Sequence, residues 1–161
     1  MRKTFVVPMT ILCMAALLGA SCTTTTRPRP TAFAPCITDA QRELSVRWGT
    51  EDDSAHTVDA YLMNTKGEIF RLETDADKRT DTVYLTAADP QEYCQRAEAV
   101  KTAYLKTQAM NVRGVRARYV EYVNPKTDVY LRVVWNPDIP TFQSRFFRAE
   151  FDSLQRLVTH Q

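Results

Sequence analysis

At 161 residues the chain is long enough for one domain with a real hydrophobic core, not several. Its formal charge of +2 rests on Arg2 and Lys3 at the very start, so it gives no general attraction to nucleic acid. Four scattered cysteines and four glycines supply neither zinc-finger cysteine spacing nor a phosphate-binding glycine loop.

The chain opens with basic Met1-Arg2-Lys3 and then runs apolar from Phe5 to Leu18, interrupted only by Pro8 and Thr10. Small residues Gly19-Ala20-Ser21 follow, and then Cys22. A basic end, an apolar middle and a small-residue exit predict a secretory signal over residues 1–21. The 14-residue apolar run is shorter than the roughly 20 residues that cross a bilayer as a helix.

The segment Leu18-Gly19-Ala20-Ser21-Cys22 resembles the lipobox of bacterial lipoproteins. The resemblance implies cleavage before Cys22 and lipidation of that residue, a diacylglyceryl group on the thiol and a further acyl chain, palmitate for instance, on the new N-terminus. Gly19 stands where the family prefers Leu, so the ordinary signal peptidase, which also accepts small residues, fits the same cut. Thr23 follows where an Asp in Gram-negative members signals inner-membrane retention. The resemblance therefore implies the outer membrane, facing the periplasm or the cell surface.

Processing removes Arg2 and Lys3 and no acidic residue; 21 basic residues less these two leaves 19, against 19 acidic. The positive balance belongs to the signal. Cysteine counting points the same way. Cys13 leaves with the signal, and lipidation of Cys22 leaves Cys36 and Cys94, which an oxidising compartment can join. Such a bridge would close a separation of 58 residues. Their spacing is far from a CxxC redox motif.

Residues 22–35 hold the modifiable cysteine and a Thr/Pro-rich stretch whose Pro28, Pro30 and Pro35 favour an extended spacer. Residues 36–161 are then one globular domain. Alternation in Leu44-Ser45-Val46-Arg47-Trp48 predicts a strand with Leu44, Val46 and Trp48 inward. Val58, Ala60 and Leu62 continue that period in a second strand. Asn64 to Gly67 predicts a turn, Glu68 to Glu73 the returning strand, and Thr82 to Thr86 a short further strand. Gly49, Gly67 and Gly114 each fit a turn or a strand end.

Asp89-Pro90-Gln91-Glu92 carries a capping residue, a proline suited to the first helical position and a box-like Glu. The stripe Tyr93, Ala97, Val100, Tyr104 extends that helix to near Met110, with Glu92 and Arg96 spaced for an ion pair. Val115 to Val123 and Val129 to Trp135 form a second hairpin around Asn124–Asp128, with Val129, Leu131, Val133 and Trp135 expected in the core. Phe147, Phe151, Leu154 and Val158 mark a C-terminal helix. The fold class is α+β: an antiparallel sheet of hairpins with two helices on one face.

Chemistry is sparse. The polar stretch Glu51-Asp52-Asp53-Ser54-Ala55-His56 offers a conceivable metal site from Asp52, Asp53 and His56, or a Ser54–His56 pair, without the sequence context either usually has. A solvated loop is the favoured reading. Arg113, Arg116 and Arg118 form the one dense basic cluster. Tyr119, Tyr122 and Tyr130 offer a sugar- or peptide-binding face, or ordinary cross-strand packing. No catalytic residue, metal ligand or cofactor is assigned. The reading is a membrane-anchored, non-enzymatic binding or assembly module of the cell envelope, with an envelope protein or glycan as partner and no nucleic acid. The alternatives are a protease-inhibitor-like domain, or a hydrolase or metal-dependent enzyme using the Glu51–His56 loop.

Overall fold

The computed structural model describes residues 29–74, 79–107 and 110–159. The expected signal, Cys22, the first part of the spacer and His160 lie outside them, as does the acidic stretch around Asp75 and Asp77.

Six strands form one antiparallel sheet: β1 (Ser45–Asp52), β2 (Thr57–Asn64), β3 (Glu68–Thr74), β4 (Thr80–Ala87), β5 (Arg116–Asn124) and β6 (Val129–Trp135). Their spatial order is β4-β3-β2-β1-β5-β6. Helix α1 (Pro90–Lys106) connects β4 to β5, and α2 (Ser144–Thr159) ends the described chain. Both helices pack on one sheet face, so the fold is α+β as the hairpin pattern predicts.

The first four strands are a meander because their connections are short. Gly67 closes the β2–β3 turn at φ +80, a backbone region that side chains resist. Asp89 starts α1 by accepting the Gln91 amide, with Pro90 at the first position. That helix stops at Lys106, before the Met110 expected from its stripe, and the chain turns extended at Thr107. Met110–Val112 then lies along β6: Val112 donates to Val134 and Val134 donates to Met110. This strip covers part of an edge that would otherwise present free backbone groups.

The core lies between the helices and the sheet. Val46, Trp48, Met63, Ile69, Val120, Val133 and Trp135 meet Tyr93 and Val100 of α1 and Phe147, Phe151 and Leu154 of α2. Trp135 packs edge-on to Phe151, and Tyr104 edge-on to Phe147. The Tyr104 hydroxyl is shared between the carbonyls of Val120 and Leu131, tying α1 to β5 and β6.

Three expectations are corrected, the first of them by register. Trp48 faces Tyr61 and Val46 faces Met63, so Tyr61 and Met63 share the core side. Val58, Ala60 and Leu62 therefore point to the opposite face, where Val58 is 61% exposed. Leu131, expected in the core, is 38% exposed near the β6 start, while Val133 and Trp135 are buried. Gly49 is inside β1, not at its end, directly opposite Tyr119.

Cys36 and Cys94 are joined, with Cα atoms 5.8 Å apart. The bridge fixes the entering chain to the first turns of α1. Chain before it also packs: Ala34 is buried and donates its amide to Thr65. On the far side of the entry, Asn124 and Lys126 donate to the carbonyls of Ala40 and Asp39.

Candidate functional site

The Glu51–His56 segment is the β1–β2 turn. Asp52 accepts the amides of Ser54 and Ala55 and the Ser54 hydroxyl. The hydroxyl bond first, and the Ala55 amide next, hold the Asp52 carboxyl below its ordinary range. This is how a short acidic loop satisfies its own backbone. His56 takes a left-handed φ of 51 and is exposed, and the Ser54 hydroxyl is engaged by Asp52. Among the described residues no cluster of three metal-ligating side chains occurs. Glu51 faces away from the turn, onto Arg113 and Arg132 at 2.8 Å each.

The basic cluster does not converge either. Arg113 pairs with Glu51, Arg116 with Asp138 at 2.8 Å, and Arg118 with Asp152 at 3.5 Å. Three separate carboxylates divide the charge over both sheet faces. The tyrosines divide as well. Tyr122 is buried among core residues, whereas Tyr119 belongs to the opposite face with Ala60, Ala117 and Val134. An odd separation in a strand puts side chains on opposite faces, so Tyr119 and Tyr122 could not have shared one.

That opposite face carries a polar centre not singled out in the sequence. Arg132 donates to both Glu121 and Glu51, at 2.5 and 2.8 Å. Tyr130 donates to the same Glu121 oxygen at 3.0 Å, and the Arg132 guanidinium lies 4.6 Å from the Tyr119 ring centroid. Burial, then the Glu121 charge, pushes the Tyr119 phenol up to about 12. Every strong acceptor here has a donor within the domain, which describes an internal brace. Its sequence signal is a lone Glu121 among Val120, Tyr122 and Val123, two positions from Tyr119.

The remaining feature is a groove between α1 and α2, about 910 Å³ and open to solvent. Arg96 pairs with Glu150 at 3.3 Å and Lys106 stands over the Phe146 ring, so the helices run antiparallel. The expected local pairing of Arg96 with Glu92 gives way to this cross-helix contact. Ala99, Thr102, Ala103 and Ala149 make the walls, and Phe146 the floor of one end. The Cys36–Cys94 bridge lines the other end. Lys106 and Arg145 both sit over the Phe146 ring, at 6.0 and 4.6 Å. Neither has a carboxylate at ion-pair distance among the described residues. The groove's apolar middle and charged ends offer packing surface along the trough and charge at its rims.

The sequence matches no protein-family model and no curated protein.

Proposed function

We propose that the chain is a lipoprotein of the bacterial cell envelope, cut before Cys22, acylated there, and acting as a non-enzymatic binding or assembly module. Its address would be the outer membrane. The part of residues 23–35 that precedes the packed Ala34 would hold the domain off the lipid, and an envelope protein would be the partner.

The observation that carries the reading is the Cys36–Cys94 bridge. Disulfides persist in exported proteins. Once Cys36 and Cys94 are joined, Cys22 is the one cysteine left in a processed chain. Acylation of its thiol removes an otherwise reactive group and supplies the anchor, each buried methylene contributing about 0.8 kcal/mol. The binding role draws support from the open groove between α1 and α2, and from the structural use of the polar candidates. Glu51 is braced by two arginines and Ser54 is bonded to Asp52.

The test uses the full chain and a Cys22→Ala variant in the native host. Metabolic labelling with a palmitate analogue, membrane fractionation and crosslinked pull-down are read together. The expected result is a labelled, membrane-bound native protein with a reproducible partner, and an unlabelled variant that loses both membrane and partner. A native protein that is unlabelled and freely soluble would end the lipoprotein reading.

A further inference from the structure

We infer that the α1–α2 groove is the docking site for an amphipathic helix of another envelope protein, one that carries acidic residues where it passes Lys106 and Arg145. The inference rests on the binding-module reading and names its surface and the chemistry of its partner.

Shape comes first. The groove runs from Gln95 to Lys106 on α1, which is about 16 Å or three helical turns. Ala99, Thr102 and Ala103 fall at i, i+3 and i+4 on one wall, and Ala149 faces them from α2. Small side chains on two helices let a third helix approach closely, with its larger apolar residues set between them. The trough is open to solvent, which suits a rod with an apolar stripe.

Charge then selects the partner. Most of the arginines described are already committed: Arg42, Arg71, Arg96, Arg113, Arg116, Arg118 and Arg132 each meet a carboxylate. Arg148 is taken up by the carbonyls of Asn136, Pro137 and Ile139. Arg145 and Lys106 meet no carboxylate among the described residues and stand over aromatic rings at the groove's end. Arg145 also spans Phe142, which is 70% exposed. A cation placed on a ring keeps its charge available to a second group. At the other end Glu150 is neutralised by Arg96, and Glu98 by Lys101. The net demand of the groove is therefore for negative charge at the end away from the disulfide. Because the chain enters beside Cys36, that end is the one farther from the tether.

The experiment places a photocrosslinking amino acid in the full chain in its native host. Positions Ala99 and Thr102 report the groove, and Val58 and Thr82 report the opposite sheet face. Crosslinked peptides are sequenced by mass spectrometry. The expected peptide has apolar residues at i, i+3 or i+4 and i+7, with Asp or Glu at the crossing of Lys106. The double charge reversal Lys106→Glu with Arg145→Glu should lower groove crosslinking about tenfold. Converting the partner's acidic residues to Lys should restore it. Ala149→Trp, an exposed position, should block it while the circular dichroism spectrum stays native. Capture of lipid or glycan from the groove, or an acidic partner indifferent to the charge reversal, overturns this inference. Crosslinks from Val58 and Thr82 alone overturn it too, but leave the binding-module reading standing. No crosslink from any position sinks both.

Discussion

The Arg132 guanidinium meets the Glu121 carboxylate on the sheet face that the helices leave uncovered, and Glu121 is only 5% exposed there. A carboxylate that deep needs its donors. Replacing Arg132 by Met should cost about 3 kcal/mol in urea unfolding, because Glu121 stays buried with only the Tyr130 hydroxyl. Adding Glu121→Gln should recover much of that loss, since the uncompensated charge is then gone. A double variant as unstable as the sum of the two singles would show that the pair is not coupled.

Gly49 is opposite Tyr119 and has no room for a methyl group. A Cβ there would fall 2.4 Å from the Asp59 carbonyl oxygen and 2.8 Å from the Tyr119 hydroxyl. Backbone cannot move aside cheaply in the middle of a sheet. Gly49→Ala should cost about 3 kcal/mol and lower Tm by roughly 10 °C. Adding Tyr119→Phe removes one clash and leaves the carbonyl, so it should not restore stability. Full restoration by that second change would place the conflict at the hydroxyl alone.

Elements with a strong period were legible in the sequence. The stripe Tyr93, Ala97, Val100 and the alternation Leu44, Val46, Trp48 mark faces that are in fact buried. What failed was the relation between strands. Val58-Ala60-Leu62 and Tyr61-Met63 both alternate acceptably, and only pairing with β1 decides that Tyr61 meets Trp48. The disulfide was legible from cysteine count. The helix groove was not, because a trough between two helices depends on how α1 and α2 cross, and Ala99 and Ala149 carry no chemical signature of their own.

The Cys36–Cys94 bridge closes a 58-residue separation that holds β1 to β4. In the chain-entropy account its removal relaxes the unfolded chain. Cys36→Ser with Cys94→Ser should lower stability by about 4 kcal/mol. Urea unfolding of the oxidised native protein against this variant reads the difference. Equal midpoints would mean that contacts such as Ala34 with Thr65 already hold the entry segment.

Tyr93 is wholly buried, and its hydroxyl has no hydrogen-bond partner among the described residues. A buried hydroxyl without a partner carries a desolvation cost that a phenyl ring of the same shape avoids. Tyr93→Phe should therefore leave stability unchanged or raise it by about 1 kcal/mol. A clear loss in thermal unfolding would reveal a partner for the hydroxyl in solution, an internal water being the simplest.

The same burial sets the alkaline limit of the fold. Tyr93, Tyr104, Tyr119 and Tyr61 are all raised above the ordinary phenol value, in each case chiefly by burial. For Tyr119 the folded value is about 12, with the Glu121 charge adding to burial. An unfolded tyrosine ionises near 10. Between those values the unfolded chain releases protons that the native chain retains, so the linkage slope is negative. The stabilisation is complete below pH 10 and is lost as pH rises through the folded values. Phenolate absorbance and circular dichroism, followed together, should thus show these tyrosines ionising as the sheet unfolds, above pH 10. Replacing Tyr119 by Phe removes its share and should move the transition to higher pH. Ionisation of Tyr61, Tyr93, Tyr104 and Tyr119 near pH 10 with the circular dichroism intact would contradict their burial.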